Sequence, residues 1–60
     1  MHNLEFRFSR LETAKRFAAA TLQDMVVLQD TDKMYVVTTK RHAAKLKQRG
    51  CKVIREVNAS

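Results

Sequence analysis

The sequence predicts a small α+β domain with the element order β-α-β-β-α-β. Three observations predict it. Apolar and charged residues alternate from Leu4 to Phe8, two later stretches carry apolar residues at helical spacing, and a faint repeat relates the halves at an offset of 30 residues.

The first strand is Leu4-Glu5-Phe6-Arg7-Phe8, whose period of two gives one buried side. Ser9-Arg10-Leu11-Glu12 follows as S-x-x-E. In this capping box the Ser9 hydroxyl accepts from the third helical N–H and Glu12 reaches back. Leu11, Ala14, Phe17, Ala18 and Leu22 recur at helical spacing, so the first helix runs from about Arg10 to Thr21. Glu12 and Arg16 form an i,i+4 pair on its outer side. Met25-Val26-Val27-Leu28 reads as the second strand. Asp30-Thr31-Asp32-Lys33 is a turn, since Asp side chains cap their own backbone turns. The β-branched and aromatic run Met34-Tyr35-Val36-Val37-Thr38 is the third strand, hairpinned to the second. Thr39 caps a second helix from about Lys40 to Arg49, and Gly50 stands where a left-handed residue ends it. Cys51 to Val57 is the fourth strand, and Asn58-Ala59-Ser60 is a fraying tail.

In the repeat, Leu4, Phe6, Ser9, Ala14 and Lys15 fall on Met34, Val36, Thr39, Ala44 and Lys45. Two strand–helix–strand units related by a pseudo-twofold give the ferredoxin-like arrangement, an antiparallel sheet in order 4-1-3-2 with both helices on one face. The alternatives are a smaller sheet with one helix displaced, or strands exchanged between two chains. The expected core is Leu4, Phe6, Phe8, Leu11, Ala14, Phe17, Ala18, Met34, Val36, Ala43, Leu46 and Val53. In such a core Phe6→Ala costs about 3–5 kcal/mol and Arg7→Ala little. A two-residue turn at Thr31-Asp32 sets Leu28 opposite Tyr35 and Val26 opposite Val37. The open sheet face then shows Val26, Leu28, Tyr35, Val37 and Ile54. Soluble monomers seldom leave such a contiguous apolar patch bare, so it is expected to be an interface, most simply of a homodimer.

Sixty residues make one domain, with a core too small to enclose a deep substrate pocket. Cys51 is the only cysteine, which excludes an internal disulfide and suits a reducing compartment. No stretch reads as a signal peptide or a membrane span, so a cytoplasmic protein without membrane partners is expected.

The charge is lopsided. Residues 1–30 hold four cations and four carboxylates, whereas residues 31–60 hold eight cations against Asp32 and Glu56. The whole net charge of +6 therefore lies in the second half, and no acid interrupts positions 33–55. Projected as a helix, Arg41, Lys45 and Arg49 lie opposite Ala43 and Leu46, with Lys52 continuing the basic trend. These four are the candidate contacts to nucleic-acid phosphates, which would give salt-dependent binding with little sequence readout. Base stacking is not expected, because Tyr35 is the one aromatic available to an open face. The alternative is a protein-interaction or inhibitor protein, of the small accessory kind made by bacteria and their viruses, docking its basic face on an acidic protein. A third reading is a structural domain whose charge gives solubility alone.

No enzymatic activity, cofactor or metal is expected. The carboxylates are scattered singly over strand, helix and turn, and one glycine cannot build a phosphate-cradling loop. His2, His42 and Cys51 lack ligand spacing. Cys51, just after Gly50 at the start of the fourth strand, reads as a small core or edge residue, and Arg49 and Lys52 would lower its pKa only if the thiol were exposed.

Overall fold

The computed structural model describes residues 5–58. Its elements are β1 (Phe6–Phe8), α1 (Leu11–Ala20), β2 (Met25–Gln29), β3 (Tyr35–Thr39), α2 (Lys40–Gln48) and β4 (Lys52–Val57). The α+β class and the element order are those expected. Leu4, His2 and the last two residues of the tail lie outside the described residues.

The strands form one antiparallel sheet in the order β1-β3-β2-β4. This corrects the expected order 4-1-3-2, because β4 pairs with β2 and not with β1. The reason lies in the two inner strands. Met25-Val26-Val27-Leu28 is buried at all four positions, as is Val36-Val37-Thr38 of β3. A strand that is apolar on both sides needs cover on both faces, which only the middle of a layered sheet supplies. The edge strands carry Arg7 on β1 and Lys52, Arg55 and Glu56 on β4, where charge discourages pairing with other chains.

Strand order also decides where the helices go. The steps from β1 to β2 and from β3 to β4 each cross one strand in the same sense, but β1 and β3 run in opposite directions. Right-handed crossovers then place one helix on each face, not both on one. Two separate apolar clusters record this. On one face Ala14 and Ala18 of α1 meet Met25, Val27 and Val37, flanked by Phe8, Leu11, Phe17, Tyr35 and Val57. On the other, Ala43 and Leu46 of α2 meet Val26, Leu28 and Val36, flanked by Cys51 and Val53.

The open apolar face therefore does not exist. Val26 and Leu28 are buried under α2, Val37 is buried under α1, and Tyr35 is half-buried beside it. Of the five residues expected at an interface, only Ile54 is exposed. The cause is a register difference of one residue: Gln29, not Leu28, pairs with Tyr35, and Val27 pairs with Val37. The Asp30 N–H donates to the Met34 carbonyl (2.7 Å) and the Lys33 N–H to the Asp30 carbonyl (2.9 Å), leaving a three-residue loop with Lys33 at φ 66°. That is the hairpin of a turn followed by a left-handed residue, and one residue of slip sends every side chain to the other face. Phe6 moves out of the core as well. It is 37% exposed on the edge strand, with its ring centroid 4.6 Å from that of Phe17.

The two helices end differently. Thr39 caps α2 as expected, its Oγ1 accepting from the His42 N–H at 3.4 Å. Gly50, at φ 103°, closes it with the Gly50 N–H on the Lys47 carbonyl and the Cys51 N–H on the Leu46 carbonyl. This is the Schellman pattern, which needs a left-handed residue at that position. The expected Ser9 capping box is not made: α1 begins after Arg10, which has no side-chain cap.

Candidate polyanion-binding surface

Nine residues, Lys40–Gln48, build the basic helix. Ala43 and Leu46 face the sheet, and His42 is half-buried at the rim. Arg41, Lys45 and Arg49 are exposed on the outer side with Lys40 and Lys47 flanking them. Arg41 and Lys45 are one i,i+4 step apart, which is about 6 Å along a helix axis, and Arg49 is one step further. The helix has no acidic residue in its first turn, although Lys40 and Arg41 stand there. Cations at that end oppose the helix dipole by a few tenths of a kcal/mol, so helix stability does not account for them.

Glu5 and Asp30 are engaged elsewhere. Arg7 Nη1 donates to Asp30 Oδ2 at 2.9 Å, and its Nη2 lies 3.5 Å from Glu5 Oε1. His42 Nε2 lies 2.7 Å from Glu5 Oε2. These pairs tie β1 to the turn and to α2. Among the described residues no ion pair involves Arg41, Lys45 or Arg49. The Glu12–Arg16 pair expected on α1 is likewise not closed among them.

Lys52 is separated from the other three candidates. It pairs across the sheet with Gln29 and so takes the α1 face, while α2 covers the opposite one. The structure gathers Arg41, Lys45 and Arg49 on one surface and places Lys52 on the other side of the sheet. Sequence adjacency to Arg49 suggested otherwise, but the turn at Gly50 and the pleat of β4 reverse the direction.

Cys51 is the small core-edge residue that its place after Gly50 suggested. It is half-buried against Val53 and the α2-side cluster. Burial pushes its pKa up, and the Asp30 carboxylate, on which the thiol donates at 3.9 Å, pushes the same way. The thiol is thus less acidic than an ordinary cysteine, and not activated by Arg49 and Lys52.

Asp30 is held below its ordinary pKa of 3.8, first by the Arg7 hydrogen bond and then by the Thr31 N–H at 2.6 Å. A carboxylate depressed by folding stabilises the protein above its unfolded pKa, and that stabilisation is lost as pH falls through the folded value. Wild type should therefore melt above Asp30→Asn at neutral pH, and the gap should narrow as pH falls below 3.8 through the lowered folded value. Thermal melts of both proteins across this range check it. A gap independent of pH would mean that the charge of Asp30 contributes nothing.

Among the described residues no helix is long and apolar enough to cross a membrane. The chain matches no protein-family model, and no curated protein and no solved structure matches it.

Proposed function

We propose that this protein is a non-enzymatic binding module that takes up nucleic-acid phosphates on the outer face of α2. The observation that carries the reading is the exposed row Arg41, Lys45 and Arg49 on a helix without a carboxylate. Arginine forks and a lysine point charge suit phosphate oxygens. Contacts to phosphate oxygens carry little sequence information, so affinity held by them would depend little on sequence and strongly on salt.

Fluorescence anisotropy with a labelled duplex and a labelled single strand tests it. Wild type should bind at low ionic strength and weaken as salt rises. The double reversal Arg41→Glu with Lys45→Glu should weaken binding to every sequence at least about tenfold and reduce the salt slope by about two. Unchanged affinity in that variant would remove α2 from the reading. No binding by wild type at low salt would remove nucleic acid and leave an acidic protein as the partner to seek.

A further inference from the structure

Between α1 and β4 lies a cleft of about 300 Å³ lined by Lys15, Arg16, Ala19, Arg55 and Val57. It faces away from α2. Three of its five lining residues are cations and none is a carboxylate. Two of those cations come from the half of the chain whose charge is balanced, so composition does not mark them.

A β-bulge assembles this group. β4 pairs Lys52 with Gln29 and Val53 with Leu28, and then the register shifts between Leu28 and Val27. Without the shift Ile54 would oppose Val27, and Arg55 would oppose Val26 on the α2 face. With it, Arg55 opposes Val27 and Val57 opposes Met25, and both reach the α1 face. A bulge re-aims side chains at the cost of ladder pairing and is enriched beside functional sites. Here it brings Arg55 to Lys15 and Arg16. Among the described residues none of the three is in an ion pair.

We propose that this cleft is a second anion site, shaped for a phosphoryl group. Two guanidinium forks can each take a pair of oxygens, and Lys15 adds a point charge. Three cations exceed what one carboxylate would balance, whereas a phosphate monoester carries a charge of about −1.5 to −2. Ala19 and Val57 supply a small apolar wall with no aromatic to stack a base, so recognition ends at the phosphoryl oxygens. The site shares no residue with the α2 row and stands or falls separately from it.

The test is an amide-resolved NMR titration of the full chain with inorganic pyrophosphate and with an oligothymidylate, against sodium chloride at matched ionic strength. Saturable shifts at Lys15, Arg16, Ala19, Arg55 and Val57 are expected with pyrophosphate. They should weaken at least about tenfold in Arg55→Gln and persist in Arg41→Gln. A response to pyrophosphate alone identifies a small phosphate ester as the ligand, and a response to both identifies a nucleic-acid backbone. Lys15→Gln provides the same comparison if Arg55→Gln disturbs the bulge, as its melting temperature would report. Shifts that match the chloride control, or that persist undiminished in both variants, overturn the proposal.

Discussion

Leu28→Ala should remove a large share of this protein's stability, while Phe6→Ala should cost much less. Leu28 is fully buried in the central strand β2, between Val36 of β3 and Val53 of β4 and beneath Ala43 and Leu46 of α2. Truncating such a leucine removes its transfer energy and leaves a cavity, together costing about 2–5 kcal/mol. At about 0.05–0.15 kcal/mol per residue, a chain of this length holds about 3–9 kcal/mol in total. One side chain on the α2 face thus carries a large share of the stability. Phe6 is 37% exposed and rests chiefly on Phe17. Its removal should cost about 1–2 kcal/mol, well below a fully buried aromatic. Urea unfolding followed by circular dichroism ranks the two. If Phe6→Ala proved the more damaging, β1 would have to be an inner strand, against the pairing described above.

Thr38→Val should raise stability by about 1–3 kcal/mol. Thr38 is fully buried in β3, opposite Val26, and its Oγ1 has no hydrogen-bond partner among the described residues. A hydroxyl taken out of water without a partner forfeits its hydration and gains nothing in return. Valine has the same branched shape and the same preference for strands, so the change removes the penalty without opening a cavity. The same urea experiment reads the gain as a higher midpoint at unchanged slope. A lower midpoint would show that the hydroxyl is satisfied in solution. In the sequence Thr38 closes the β-branched run of the third strand, and the sheet buries it completely.

The elements were legible because their signals are local. Thr39 and Gly50 bracket α2, and the spacing of Ala43 and Leu46 states which way that helix turns. The outward direction of Arg41, Lys45 and Arg49 follows from the same three or four residues. Local signals failed where two answers cost nearly the same. Ser9 offered a cap that α1 does not use. The turn after β2 could hold two or three residues, and the choice of three needs Lys33 at φ 66°, a conformation that a lysine does not advertise. That single residue moves Val26 and Leu28 to one face and Val37 to the other. It converts an imagined dimer surface into two halves of a core.

The run Met25-Val26-Val27-Leu28 already carried the decisive hint, for four apolar residues in succession cannot all be satisfied by one covered face. Taken alone, it says that β2 is inner. It does not say which strand lies beside it, since that depends on how two crossovers share the sheet. By itself, the sequence determined the identity and order of the elements, the ends of α2, the apolar content of the inner strands and the outward charge of one helix. Only the tertiary structure decided that β4 pairs with β2, that the helices lie on opposite faces, that Lys52 is parted from Arg49, and that Arg55 meets Lys15 and Arg16. The first group rests on interactions within a few residues of chain. The second rests on strand pairing and a bulge between segments far apart in sequence, where the energy of covering both faces of the sheet outweighs any local preference.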